Sequence, residues 1–403
     1  VRLEKLKLGE IAKISAGTSA PKDEYFGDSG HPFIRVSHLD DLISGIDINR
    51  IPKISEEIAN INKLRLVKTG TILLAKSGMS CLKNRVYQCV TDSYIVNHLA
   101  TIEINEKLAV IDYVQKFLKW FNVSKLIVDE SYPSIRTSDI SEIEVYLPPF
   151  EQQKQIATIL DKAQALIDKR KKAIAKLDEL VQAVFLDMFG DLNKNEKKWN
   201  ISQLSEVAVI ASGVTKGKKY SNNELISVPY MRVANVQAGY VDLSEIKEIL
   251  VSLSDAERYK LCYGDVLLTE GGDPDKLGRG AVWTSKIENC IHQNHIFKVR
   301  VNDKILNPYF FSSCAGSDYG KKYFLKMAKQ TTGIATINMT QLKGFLVFLP
   351  PIDLQDHFEM IIKTIDFKKK QMQIQLQQLE SNFNALLQKA FKGELTVREV
   401  VTV

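Results

Sequence analysis

Basic, hydroxyl and amide side chains gather in turn-like segments of this sequence, one set in each half of the chain. The first set comprises Thr18 and Arg35, then Lys76, Ser77, Lys83 and Arg85, and the run Tyr132 to Arg136 that carries Ser134 and Arg136. The second comprises Thr215, Lys216, Lys218 and Lys219, then Arg232, Lys276 and Arg279, and finally Lys329, Gln330 and Thr332. Arginine and lysine donate to guanine edges, amides pair with adenine, and hydroxyls or lysines hold phosphates. Any one of these residues is also what a solvated loop offers. As a set borne by two related halves, they fit contact with duplex nucleic acid.

The charge agrees without deciding the matter. Of the net +6, the whole excess lies in residues 193–351, which hold 21 basic and 15 acidic side chains. A bias of that size permits nucleic-acid binding and does not demand it. Catalytic patterns are missing. The Gly-rich run Gly271 to Gly280 holds no G-x-G-x-x-G that follows a strand and opens a helix, and no Walker sequence occurs. Cys290, His292 and His295 could be misread as a metal site, but their counterparts Ser93, Ile95 and His98 break the pattern, so no metal is expected. An amine-methylating site needs a polar acceptor ahead of a Pro pair, whereas Leu147 and Leu349 stand there. The expectation is a chain that binds rather than catalyses. The five cysteines form no CxxC and no even framework, which suits reduced thiols in a cytoplasmic protein. Nothing resembles a membrane span or a signal peptide.

What positions these residues is a repeat. Leu8 to Ala12 returns as Leu204 to Ala208, Pro32 to Val36 as Pro229 to Val233, and Gly70 to Leu74 as Gly264 to Leu268. Asn97-His98 returns as Asn294-His295, and Leu147-Pro148-Pro149 as Leu349-Pro350-Pro351, each followed by a glutamine, Gln153 or Gln355. Two copies imply a duplicated domain with pseudo-twofold symmetry. Strands are expected at Phe33–Val36, Thr71–Leu74, Ala100–Ile104, Val228–Val233, Val266–Thr269 and His295–Val301, with helices near Asp112–Phe121 and Pro308–Met327.

Each copy ends in a long segment without Gly or Pro, bounded by a Pro pair and by Gly190 or Gly393. Positions at spacings of four and three are apolar but for one in each helix: Ile156, Leu160, Ala163, Ile167, then after Arg170 Ile174, Leu177 and Val181 in the first, and Phe358, Ile362, Ile365, then after Lys369 Met372, Leu376, Leu379 and Phe383 in the second. That is a coiled-coil seam, interrupted by Arg170 and Lys369. A further stripe, Ile159, Leu166, Ala173 and Leu180, widens the apolar face beyond a two-helix seam. Some 40 residues of helix span about 60 Å, while the link from Gly190 to Lys198 reaches at most roughly 30 Å. A second helix that pairs with the first must therefore run back, giving an antiparallel coil with one globule at each end. The tail Thr396–Val403 alternates polar and apolar and is expected to form a strand or strap.

The whole chain resembles the specificity subunit of Type I restriction–modification enzymes. The resemblance rests on the order of domain, helix, domain, helix. It rests also on the glycine-containing openings Ser15 to Thr18 and Ala211 to Val214, on Leu-Pro-Pro followed by Gln, and on the helix endings Phe185 to Asp191 and Leu387 to Leu395. The usual threonine-proline of the opening is degraded here to Thr18-Ser19 and Val214-Thr215. The fold implied is α/β: two pseudo-twofold related mixed α/β target recognition domains separated by a two-helix antiparallel coiled coil. Residues 1–147 and 193–349 would be the recognition domains, 148–192 and 350–392 the spacer helices, and 393–403 a tail packing near domain 1. The resemblance implies a non-catalytic subunit that reads a bipartite, asymmetric site on double-stranded DNA, with the coil setting the spacer. It implies two modification subunits bringing S-adenosylmethionine, and restriction subunits with ATP and Mg2+, this chain itself binding no cofactor. The rival readings are a stand-alone adenine-N6 methyltransferase and a coiled-coil scaffold unrelated to DNA.

Overall fold

The computed structural model describes residues 4–220, 224–273, 277–284, 286–331 and 333–394. Lys276, Thr332 and the tail Thr396–Val403 lie outside the described residues, as does the side chain of Gln330. The chain divides into two units, Val1–Arg170 with Gln375–Val403, and Lys171–Ile374. The division cuts both long helices, so each unit owns one globule and the adjoining part of each helix.

In the first unit, antiparallel strands Ala12–Ala16, Leu99–Ile104, Ile72–Ala75 and Val86–Gln88 form a four-stranded sheet in that spatial order. A second sheet carries His31–Ile34 parallel to Ser93–Ile95. The second unit repeats both features: Ala208–Ser212, Ile296–Val301, Val266–Thr269 and Gly280–Val282 form the first sheet, and Leu225–Met231 runs parallel to Ile291–His292 in the second. The short strand before each first sheet pairs with the strand entering the Pro pair, Glu4 opposite Leu147 and Asn200 opposite Leu349. The sequence repeat is therefore a topological repeat. The second unit adds a small sheet of Gly271–Gly272, Ile334–Thr336 and Lys329–Thr331.

The expected helix at Asp112–Phe121 is present as Ile111–Phe121. The one expected at Pro308–Met327 is two helices, Pro308–Gly316 and Asp318–Met327. The Ser317 hydroxyl donates to Cys314 O at 2.7 Å and accepts from Gly320 N at 3.4 Å, ending one helix and capping the next. The bend requires glycine at position 320, because a Cβ there would lie 2.2 Å from Ala315 O.

The long helices are Phe150–Phe189 and Ile352–Lys392. In the first unit Ile156, Leu160 and Ile167 are buried, and Leu376, Leu379 and Phe383 are half-buried. In the second, Phe358, Ile362 and Ile365 are buried, and Ile174, Leu177 and Val181 are half-buried. Within the first unit the start of one helix shares a core with the end of the other, Ile156 and Leu160 with Leu386, Ala390 and Phe391. Within the second the order is reversed, Phe185 and Phe189 lying 5.6 and 5.3 Å from Phe358. The pairing is antiparallel in each. The polar interruptions find partners across the helix pair: Arg170 Nη1 donates to Gln375 Oε1 at 2.6 Å, and Lys369 pairs with Asp178.

The glutamine after each Pro pair is a buried clamp. Gln153 accepts from Val110 N at 2.8 Å and donates to Pro148 O at 2.9 Å. Gln355 accepts from Asn307 N at 2.8 Å and donates to Pro350 O at 2.7 Å and Ile305 O at 3.1 Å. All five cysteines are free, and burial pushes the Cys89, Cys290 and Cys314 thiols up to about 12. Among the described residues no helix is long and apolar enough to cross a membrane.

His292 is fully buried where the first unit has Ile95, each on the strand parallel to its neighbour. Its Nδ1 lies 3.0 Å from Tyr259 O, and its Nε2 is enclosed without a partner. Burial, helped by the nearby Lys298, depresses its pKa from 6.5 to about 4. Between those values the unfolded chain binds the extra proton, so this residue's contribution is intact above pH 6.5 and is lost as pH falls toward 4. His292→Ile should make urea unfolding of this unit less pH-dependent across that window, by roughly 3 kcal/mol. Equal pH dependence in variant and wild type would refute the assignment.

Candidate nucleic-acid interface

Each domain opens on a glycine because the chain passes too close to a neighbouring strand for any side chain. A Cβ on Gly17 would lie 2.2 Å from Ile95 O, and one on Gly213 would lie 2.0 Å from His292 O. The opening segment is then stitched to the Asn-His turn: Thr18 N donates to Ile95 O at 2.8 Å and Asn97 N to Thr18 O at 2.8 Å. In the second unit Val214 N donates to His292 O at 2.8 Å and Asn294 N to Val214 O at 2.9 Å.

The same turn holds the end of the Gly70 to Leu74 strand and a returning segment. Lys76 N donates to His98 O at 3.0 Å, and Ile135 N donates to Lys76 O at 2.8 Å. Their counterparts are Glu270 N to His295 O at 3.0 Å and Ile337 N to Glu270 O at 2.9 Å. The first unit thereby brings Lys76, Ser77, His98 and Ser134 to one edge, with Ser77 bridged to Ser134 and its hydroxyl 2.7 Å from His98 Nδ1. Beside it lies an open hollow of about 420 Å³ lined by Ser19, Lys22, Arg35, Asn97 and His98. The second unit brings together Glu270, His295, Thr336 and Lys329, with Gly271 opposite Thr336 and Thr336 opposite Lys329 in the small sheet. His295 Nδ1 lies 2.6 Å from Glu270 Oε2.

Of the residues named from sequence, Lys83, Ser134, Arg136, Thr215, Lys216, Lys219 and Lys329 are exposed and Lys76 is half-buried. Their side chains make no hydrogen bond or ion pair among the described residues, which leaves their donors to a ligand. Several others are enclosed or already engaged within their own domain. The Thr18 hydroxyl is enclosed and cannot reach a surface ligand. Arg85 grips both carboxylate oxygens of Asp40 and is only 12% exposed. Arg232 pairs with Glu245 at 3.2 Å, and Arg279 donates to Gln237 Oε1 at 3.0 Å; the Nε of each is enclosed. Lys218 is held at 2.5 Å by the buried Asp255. Arg35 lies over the Phe26 ring at 4.7 Å and pairs with Asp23 at 2.9 Å, so it shapes the hollow more than it offers a free charge. Arg35, Arg85, Lys218 and Arg232 thus satisfy acids of their own domain, and an arginine fork matched to both oxygens of a carboxylate, as in Arg85, loses two good bonds if it leaves.

Sequence reasoning did not select Lys22, Asn97, His98, Glu270, His295 or Thr336. The repeated Asn-His pair was visible, and aligning Gly70 to Gly78 with Gly264 to Gly272 sets Lys76 against Glu270. Those two signals point to Asn97, His98, Glu270 and His295; Lys22 and Thr336 carry no such mark. No group of three or more metal-ligating side chains occurs among the described residues.

Residues 1–179 match the Type I restriction modification DNA specificity domain. The chain is 24% identical over 421 residues to the MjaIX specificity subunit of Methanocaldococcus jannaschii, covering 99% of this chain and 94% of that one. It is 25% identical over 316 residues to the EcoKI specificity subunit of Escherichia coli K12, covering 73% of this chain and 67% of that one. The fold is similar to a solved chain of a type I R-M system, with a TM-score of 0.61 at 16% identity over 98% of each chain. The duplicated domain, the glycine opening in each copy and the paired long helices thus accompany a similarity to Type I restriction–modification specificity subunits that runs along the chain, with the specificity domain itself matched over residues 1–179.

Proposed function

We propose that each unit reads one half of a bipartite, asymmetric site on double-stranded DNA, through the edge built around its Asn-His turn. The observation that carries this is the construction of one edge twice on the same backbone with different side chains: Lys76, Ser77 and Ser134 in one, Glu270, Gly271 and Thr336 in the other. A conserved frame with exchanged donors and acceptors is what two different base sequences require. On this reading residues 1–147 and 193–349 are the recognition domains, and the helix pair sets the untouched interval between half-sites.

The subunits of such a system assemble with one another and with DNA; for this chain we infer two modification subunits and, for cleavage, restriction subunits, acting in the cytoplasm. Support comes from apolar side chains left exposed at heptad spacing on the long helices, Met360, Phe367 and Ile374 on the second and Leu166 and Leu180 on the first. Such stripes suit further helices packed against the coil. The modification subunits would supply S-adenosylmethionine and take the target adenine out of the stack for N6 methylation. ATP and Mg2+ would belong to the restriction subunits, with no cofactor on this chain.

The test is to exchange residues 1–147 for the matching domain of another specificity subunit and sequence the methylome of a host carrying it with its partner subunits. One half-site should be replaced and the other kept. A change in both, or in neither, refutes independent reading.

A further inference from the structure

The two reading edges carry opposite charge at one equivalent position. Lys76 and Glu270 each follow the same strand, each donates its amide to the carbonyl of the turn histidine, and each accepts at its carbonyl from the returning segment. A carboxylate on a face that meets a polyanion costs binding energy through repulsion by phosphates. Lys329, opposite Thr336 in the small sheet, offsets part of that repulsion, yet it gives no reason for an acid to be there.

Its setting gives one. The Glu270 side chain is 30% exposed and His295 is 57% exposed, so the pair is at the surface and is not a buried ion pair. A carboxylate can only accept, so the proton between Glu270 Oε2 and His295 Nδ1 sits on the imidazole. In the neutral ring Nε2 is then an acceptor, and Asn294 Nδ2 lies 3.4 Å from it. The donors Asn294 and His295 thus point in sequence toward one carboxylate. Glu270 is held in place through Oε2 while Oε1 remains an acceptor. In the first unit the Ser77 hydroxyl takes the place beside His98, and Lys76 offers an ammonium.

We propose that Glu270 is a specificity-determining residue, accepting a hydrogen bond in the major groove from an exocyclic base amine, N4 of cytosine or N6 of adenine. Lys76, at the equivalent place, donates to guanine O6 or N7 in the other half-site. Glutamate reads an amine, and lysine reads guanine, because of the donor and acceptor pattern of each base edge. His295 and Asn294 are positioning residues for the carboxylate. The inference rests on the DNA-reading assignment above.

The test uses the full chain with its partner subunits and reads methylated sites by sequencing, with thermal unfolding of each variant as a check on folding. Glu270→Gln keeps the shape and replaces an acceptor by an amide that also donates. It should weaken discrimination about tenfold at one base pair, where wild type requires cytosine or adenine, and leave the other half-site untouched. Lys76→Glu should change one position of the other half-site from guanine to an amine-bearing base; if Glu270→Gln lowers the unfolding temperature, this variant decides alone. Unchanged discrimination in folded variants, or a change spread over both half-sites, overturns the inference while leaving the DNA-reading assignment in place. If the wild-type chain directs methylation to no bipartite site, that assignment fails and the inference falls with it.

Discussion

Gln355→Leu is expected to destabilise the unit built from residues 171–374 by about 3 kcal/mol, read as a lower urea midpoint. Leucine nearly matches glutamine in volume, so little packing changes. What is lost is the partner of three buried backbone groups: the N–H of Asn307 and the carbonyls of Pro350 and Ile305. Gln355 is fully buried, and water cannot take its place. Asn307 caps the helix Pro308–Gly316 through its own side chain, so a loosened backbone there also weakens the cap. Gln153→Leu should do the same in the other unit, leaving Val110 N and Pro148 O unpaired. A loss below about 1 kcal/mol in both variants would mean that the clamp is not what ties helix to globule.

Phe391→Ala should cost about 4 kcal/mol in the first unit, at the upper end for a buried aromatic. Phe391 is 1% exposed near the end of the second long helix, with ring centroids 5.3, 5.6 and 5.4 Å from Tyr113, Phe117 and Trp120. Those three lie on Ile111–Phe121, so one side chain fastens the returning helix to the domain helix. Edge-to-face rings add to the area they bury. The half-buried Phe383 serves as comparison, and Phe383→Ala should cost clearly less. Hydrogen exchange gives the sharper readout: amides of residues 383–392 should lose protection in Phe391→Ala while those of 352–374 keep theirs. Uniform loss along the whole helix would show that the docking is not local.

Both clamps began as sequence features without a reason. The glutamine after each Pro pair was legible as a repeat, but nothing in its spacing said that its amide closes the junction, because Val110 and Asn307 lie far from it along the chain. Phe391 continues the same apolar periodicity as Phe383 and does not announce that one meets a domain core while the other remains half in the seam.

The repeat, the six named strands to within a few residues and the two long helices with their seam were legible in local pattern. Periodicity, Pro pairs and flanking glycines act within a few residues of themselves, so a linear reading reaches them. The resemblance to Type I specificity subunits followed from that order. The break at Ser317 was missed because a serine cap inside a helical pattern shows only when its hydroxyl is seen bonded to Cys314 and Gly320.

Which basic residues are left to a ligand was decided only by the tertiary structure. Composition treats Arg85, Arg232, Lys218 and Lys219 alike, but an arginine or lysine is available only if no carboxylate folds against it. Asp40, Glu245 and Asp255 are brought to the first three respectively by the fold, and among the described residues no acid pairs with Lys219. The opposition of Lys76 and Glu270 has the same origin. Their side chains differ freely because the strand, the turn and the returning segment are held by backbone hydrogen bonds that do not depend on which side chain is present.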